Sequence, residues 1–192
     1  MSATQFQIYK VWNKLLRNRE DATEEDMLEA VDVGVNYKPT DTNMCGLIDY
    51  VHRYFSRKKA RWLTKQMVAA GADLNVTSES SGYYLINKHD GKRYFLKYLV
   101  DCGVNLNLQS GYDGVTPLGY EIAALSFSLS VESKFCQDIE KTVKLFIDGG
   151  ADVAIKNRYD LDVLHGLCEQ IREYRVGYYM VNVVKMLIEA EF

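Results

Sequence analysis

Apolar residues recur along this chain at helical spacing, in stretches that end on a similar short phrase. Ile8, Val11, Trp12, Leu15 and Leu16 form one stripe, and Met27, Leu28 and Val31 a second. Leu63, Met67 and Val68 form a third, and Phe95, Leu96, Leu99 and Val100 a fourth. Ile139, Val143, Phe146 and Ile147, with Leu145 alongside, form a fifth. Apolar residues three and four apart share one face of a helix, so each stretch is predicted to be an amphipathic helix with one side to bury. The phrases that follow are Val33-Gly34-Val35-Asn36, Ala70-Gly71-Ala72-Asp73-Leu74-Asn75, Cys102-Gly103-Val104-Asn105-Leu106-Asn107 and Gly149-Gly150-Ala151-Asp152-Val153. A left-handed residue just past a helix's last turn satisfies its orphan carbonyls, and glycine takes that conformation without penalty. Gly34, Gly71, Gly103 and Gly150 are therefore read as structural turn glycines, with Gly71 and Gly103 left-handed.

Each glycine opens a polar, turn-rich stretch. Residues 76–82 read Val-Thr-Ser-Glu-Ser-Ser-Gly and residues 108–114 read Leu-Gln-Ser-Gly-Tyr-Asp-Gly. Ser-Gly and Asp-Gly are tight-turn dipeptides. A further helix is predicted to start at Thr116-Pro117-Leu118, where Thr suits the N-cap and Pro the first helical position. Another starts at Asp162-Val163-Leu164-His165, with Asp as the cap. Thr23, with Asp26 three residues on, resembles a capping box. The four glycines stand at intervals of 37, 32 and 47 residues, and such recurrence marks a stacked repeat protein.

The unit resembles an ankyrin repeat: a β-turn finger, a helix opening on Thr-Pro-Leu-His, a second helix, then Gly-Ala-Asp-x-Asn. Gly71 to Asn75 matches the closing phrase throughout, Asp113 to Leu118 matches the opening one, and Leu164-His165 keeps its second half. The resemblance implies an all-α, ankyrin-like solenoid of about five helix pairs with short β-turn fingers. The pairs are expected at about residues 4–34, 46–71, 83–103, 116–150 and 162–191. Residues 1–34 would be an N-terminal cap, with repeats at 35–71, 72–103, 104–150 and 151–192, the last serving as a C-terminal cap or ending a cut chain. The departures are clear. The family period is about 33 residues, shorter than two of the intervals here, and residues 125–136 are expected to extend the first helix or loop of the fourth pair. Only His165 keeps the motif histidine; Gly119, Ile86 and Asp49 stand in its place elsewhere.

The resemblance also implies a role: binding another protein, without catalysis and without a cofactor. In that family, contacts come from finger tips and the inner helix. That carries over to Tyr112, Asp113, Arg158 and Tyr159, and to Arg53 and Tyr54 on the second pair's inner helix. The resemblance names no partner, and the chain is expected to be a monomer.

Composition trims the alternatives. The chain has 192 residues, 47% hydrophobic and 26% charged, with a formal net charge of −3. That charge favours neither bulk nucleic-acid affinity nor attraction to a membrane. The 14 Tyr against 7 Phe and 2 Trp suit half-exposed interfaces or an irregular core equally well. Cys45, Cys102, Cys136 and Cys168 contain no Cys-x-x-Cys pair and sit in apolar helical contexts, so reduced, buried thiols are expected. Gln5, Gln7, Lys10, Asn13 and Lys14 interrupt the start of the chain, which rules against a signal peptide. No apolar stretch approaches the 18 or so residues a membrane helix needs. A cytoplasmic location is expected, in the host cell's cytosol for a viral or effector protein.

Two other function classes stay open. Arg53, Arg57, Lys58, Lys59 and Arg61 cluster at one predicted inter-helix loop, and Lys88, Lys92, Arg93 and Lys97 at the next. Solvated loops are the plainer reading. Stacked in register, the clusters would make a basic patch for an acidic protein segment or for phosphate groups. His165 and Cys168 stand three apart on a predicted helix, with His52 and His89 elsewhere. They lack metal-ligand spacing. A Cys–His nucleophile pair is the enzyme alternative, against the reading of His165 as a capping residue. No phosphate-binding glycine loop is present.

Overall fold

A computed structural model describes residues 3–36, 47–76, 86, 93–109, 113–123, 133–174 and 177–191. The fold is all-α. Among the described residues there are nine helices: α1 Ala3–Arg17, α2 Glu24–Val33, α3 Leu47–Tyr54, α4 Arg57–Ala69, α5 Arg93–Asp101, α6 Pro117–Ala123, α7 Ser133–Asp148, α8 Val163–Tyr174 and α9 Gly177–Glu191. They pack mostly as sequential pairs. The chain divides into two compact units, Met1–Lys88 and His89–Phe192. No described helix is long and apolar enough to cross a membrane.

In the first unit α1 packs on α2, α3 on α4, and α2 also on α4. The α1 stripe works as its spacing predicts: Val11, Trp12, Leu15 and Leu16 are buried. Trp12 is fully enclosed, and its indole Nε1–H donates to the Gly34 carbonyl at 2.6 Å. The capping box forms. The Asp26 amide donates to the Thr23 hydroxyl oxygen at 3.1 Å, and the Thr23 amide donates to the Asp26 carboxylate at 3.0 Å. Hydrogen bonds from the Thr23 side chain, then from its backbone, hold the Asp26 carboxyl below the ordinary carboxylate range. The carboxylate's half of the box is therefore in place at neutral pH and weakens as pH falls through that lowered pKa, while the Asp26 amide keeps its bond to Thr23. Between α3 and α4, His52 Nε2 lies 2.8 Å from the Thr64 hydroxyl, which in turn donates to the Ala60 carbonyl. The one hydroxyl proton goes to Ala60, so His52 is the donor and carries its proton on Nε2. Asp49, at the place of the motif histidine, is buried one turn before it.

In the second unit α6 packs on α7, α8 on α9, α5 on α7, α7 on α9, and α6 on α8. Phe95, Leu96, Leu99, Leu118, Ile122, Val143, Phe146, Leu167, Val183 and Leu187 form its core. Thr116 and Asp162 do cap α6 and α8: they accept from the Gly119 amide at 3.2 Å and the His165 amide at 2.9 Å. Of the stretch expected to prolong the first helix or loop of the fourth pair, residues 133–136 instead begin α7, and the rest lies outside the described residues. Of the pair expected at 83–103, the described residues show only its second helix, α5, and Ile86, which is buried.

Three helices end alike. Gly71, Gly103 and Gly150 have φ of 83°, 80° and 91°. Each donates to the carbonyl three residues back, and the next residue donates to the carbonyl five back, at 2.9–3.2 Å. These are Schellman ends, which need a left-handed residue at the glycine. Gly34 departs from them: at φ 152° and ψ 129° its amide bonds Ala30, and the chain leaves α2 opened out, its carbonyl meeting Trp12. Because a β-branched residue is strained at φ near 80° while space at Gly71 is open, Gly71→Val is expected to cost about 1–2 kcal/mol. Urea unfolding showing no loss would contradict the assigned end.

Two asparagines tie successive turns together. The Asn36 amide donates to the Gly71 carbonyl at 3.3 Å and accepts from the Asp73 amide at 2.8 Å. In the second unit, Asn107 donates to the Gly150 carbonyl at 3.1 Å and accepts from the Asp152 amide at 2.8 Å. One planar side chain thus satisfies a donor and an acceptor of the next turn in each unit.

Candidate functional site

The segment before α8 folds around one residue, Asn157. Its amide donates to the Leu161 carbonyl at 2.9 Å, and its carbonyl accepts from the Asp160 amide at 3.1 Å. Its side-chain oxygen accepts from the amides of Tyr159 at 2.9 Å and Leu161 at 3.1 Å. Asn is suited to this because its short side chain can bond the backbone two residues on. The turn closes with Asp160 left-handed, at φ 61°, the one non-glycine residue with positive φ among those described. The Lys156–Asp160 ion pair, exposed at both ends, adds little.

This finger is fastened to the one before α6. The Arg158 amide donates to the Asp113 carbonyl at 2.9 Å. The Gln109 side-chain amide nitrogen donates to the carbonyls of Gly114 and Lys156, both at 2.7 Å. The Tyr159 hydroxyl donates to the Asp113 carboxylate at 3.1 Å, and that bond, with the carboxylate's charge, raises its pKa. Tyr159 nevertheless remains 67% exposed. Two residues chosen from separate fingers, Asp113 and Tyr159, are thus brought together. Arg158 is exposed beside them, and Tyr112 lies outside the described residues.

Next to the finger, α6 and α8 leave a groove of about 150 Å³. Gly119 and Ile122 of α6, Asn157 and Leu161 of the finger, and Gly166, Glu169 and Gln170 of α8 contribute to its lining. The two glycines are there for different reasons. A Cβ at Gly119 would lie 2.7 Å from the Val115 side chain, so packing requires its absence. A Cβ at Gly166 would meet nothing within 4 Å. A glycine inside a helix costs about 1 kcal/mol relative to alanine, and no described residue lies close enough to explain that cost. Gly166→Ala is therefore expected to raise stability by about 0.5–1 kcal/mol, read as a higher melting temperature. A drop would mean that the position is crowded.

The remaining expected site residues are distributed as follows. Arg53 and Tyr54 are exposed at the end of α3 in the first unit. The Tyr54 ring meets that of Tyr50 at a 42° tilt, 4.4 Å between centroids, and the Arg19 guanidinium lies 5.4 Å from the Tyr54 ring centroid. Arg57, Lys58 and Arg61 are exposed around the start of α4. Lys59, of the same cluster, turns its ammonium to the α1–α2 turn, where it donates to the carbonyls of Glu20 at 2.9 Å and Ala22 at 2.8 Å. Lys88, Lys92 and the Arg93 side chain lie outside the described residues, while Lys97 forms an exposed pair with Asp101 at 2.9 Å.

Two of the thiols are less buried than expected. Cys102 is half-buried and Cys168 exposed, and both are free. Burial of α8 runs through Val163 and Leu167, so the residue after Leu167 turns outward. It shares a shallow depression with Leu164, His165 and Arg172. The His165 imidazole is directed to Asp162, 2.8 Å from Nδ1. Burial opposes ionisation of Asp162, but the hydrogen bonds from His165 outweigh it and lower its pKa. Among the described residues no group of three or more His, Cys, Asp or Glu is placed to hold a metal ion. Cys45, His89 and the Cys136 side chain lie outside the described residues.

No family model matches this chain, and no curated protein sequence does.

Sequence reasoning missed Asn157 and Gly166. Both carried a signal. Asn157 is a turn-former inside a finger, and Gly166 is a lone glycine within a helical pattern. Gln109 could not have been found, because its two partners are defined only once the fingers lie side by side.

Proposed function

We propose that this chain is a non-catalytic protein-binding module of ankyrin-like construction, and that its second unit engages the partner through the finger at 156–161 and the adjoining groove. The repeated Schellman ends, the paired asparagine ties and the stacking of α6 on α8 support the ankyrin-like reading. One observation carries the docking role. Tyr159, a large amphipathic side chain, stands 67% exposed on a turn held by backbone and side-chain hydrogen bonds. A rigid aromatic loses little freedom on binding, which is why such residues anchor interfaces. No cofactor is needed for this role.

The test is affinity capture with the wild-type chain and with Tyr159→Ala, followed by mass spectrometry. A partner captured by the first and lost by at least about tenfold with the second, at unchanged melting temperature, is the expected result. Unfolding of the variant, or capture that ignores it, would remove Tyr159 from the surface.

A second reading has its own observation. Arg57 and Lys58 occupy the first turn of α4, where the helix dipole is already positive. Adding an anion there relieves the repulsion, so an acidic segment or phosphate group is the ligand this reading implies. Binding to heparin that falls steeply with salt would favour it over the first.

A further inference from the structure

We infer that the first unit pairs with the first unit of a second copy of this chain, the acidic outer face of α2 on one lying against the basic outer face of α4 on the other. The α2 helix carries Glu24, Glu25, Asp26, Glu29 and Asp32, and no lysine or arginine. The α4 helix carries Arg57, Lys58, Lys59, Arg61 and Lys65, and no aspartate or glutamate. These helices pack on each other, so opposite charges are sorted onto neighbours. Sorting works against each helix by itself. Glu25 and Glu29 stand four apart, as do Arg61 and Lys65, and like charges at that spacing repel. Cations in the first turn of α4 also meet the positive end of its dipole. A solvated face needs no such sorting. Helices of the second unit set Lys97 four before Asp101 and Lys144 four before Asp148, and both pairs close.

The outward stripes match. Met27, Ala30 and Val31 are the buried side of α2, and Ala60, Leu63 and Met67 lie on that of α4. Exposed on the other sides are Glu25, Glu29 and Asp32 of α2 and Lys58, Arg61 and Lys65 of α4. Both stripes cover the same length, about 10 Å of helix. Each also holds an apolar residue. Leu28, 41% exposed, stands between Glu25 and Asp32, and Trp62, half-buried, stands between Lys58 and Lys65. Having both signs side by side decides the occupant. A foreign acidic segment on α4 would be repelled by α2 next to it, and α2 would stay unanswered. A second copy, turned about a two-fold axis running along the α2–α4 seam, sets each stripe on its complement and Leu28 against Trp62. Such an interface uses one patch on both copies and closes at two. The dimer stands against the monomer expected from the sequence, and it does not depend on the finger at 156–161.

Sedimentation velocity of the full chain tests this, over about 5 to 500 μM protein. At about 0.05 M salt a monomer–dimer equilibrium is expected. At about 1 M, where screening cuts the reach of a charge to about 3 Å, Kd should rise at least about tenfold. Two triple variants make the stricter test. Lys58→Glu with Arg61→Glu and Lys65→Glu leaves both stripes acidic. Glu25→Lys with Glu29→Lys and Asp32→Lys leaves both basic. Each alone should be monomeric while still melting cooperatively. Mixed in equal amounts, the two should form a one-to-one dimer, because every stripe again meets its opposite. A wild-type chain monomeric at low salt, open assemblies larger than two, a dimer indifferent to salt, or folded triple variants that fail to pair on mixing would each overturn the inference. Should a triple variant not fold, Arg61→Glu alone decides. Dimerisation weakened at least about tenfold at unchanged melting temperature supports the pairing, and undiminished dimerisation overturns it.

Discussion

Trp12→Ala should destabilise the first unit by about 3–5 kcal/mol, the range for removing a fully buried tryptophan. Two losses combine. The indole fills the space between α1 and α2 with no exposed surface, and its truncation leaves a cavity that neighbouring side chains only partly close. The Gly34 carbonyl also loses the donor that holds the end of α2. Trp12→Phe separates the terms. It keeps most of the apolar contact and removes the N–H, so a loss of about 0.5–1.5 kcal/mol is expected. Urea unfolding followed by circular dichroism gives both numbers. Since whole-domain stability is about 5–15 kcal/mol, the alanine variant should unfold at markedly lower denaturant. A loss below 1 kcal/mol would mean that α1 is not held as described.

Gly149→Ala is expected to cost about 1–3 kcal/mol through overpacking. Its conformation is not the reason, because the left-handed residue is Gly150. The reason is closeness: a Cβ at Gly149 would lie 2.6 Å from Val100 Cγ1, 3.0 Å from Leu106 Cδ1 and 3.1 Å from the Leu145 carbonyl oxygen. Val100 is β-branched and stiff, so it cannot swing aside without leaving its rotamer. At Gly150 the opposite holds. Space is open there, and only the backbone resists, so Gly150→Asn should be much milder than Gly150→Val. Thermal unfolding of the three variants checks the contrast. A Gly149→Ala protein as stable as wild type would show that α5 and α7 can separate freely.

Local features were legible in the sequence because their causes are local. The Thr23–Asp26 box, the Asp162 cap, the α1 stripe and the left-handed glycines all follow from spacing of a few residues. Features made by distant groups were not. Lys59 read as part of a basic cluster, yet it reaches 37 and 39 residues back to two carbonyls. Gly34 shared its phrase with the other glycines, but Trp12, 22 residues earlier, meets its carbonyl. Leu28 belonged to an apolar stripe and is exposed, because Met27, Ala30 and Val31 already fill the face that α2 buries. The candidate site divides the same way. Tyr159 and Asp113 were named separately from their turn dipeptides, and only folding joins them across 46 residues. The groove, defined by three segments together, left no trace in the linear order beyond its two glycines.

The asparagine ties carry a consequence for how this architecture can change. The same pair of bonds closes a span of 35 residues from Asn36 to Gly71 and one of 43 from Asn107 to Gly150. The entropy of closing a flexible loop grows only with the logarithm of its length, so the longer span adds about 0.2 kcal/mol. Each fastening answers to its two ends and hardly at all to how much chain hangs between them. Length is thus a nearly neutral variable here, and a splice made inside such a span can lengthen the tether while the anchor points keep their register.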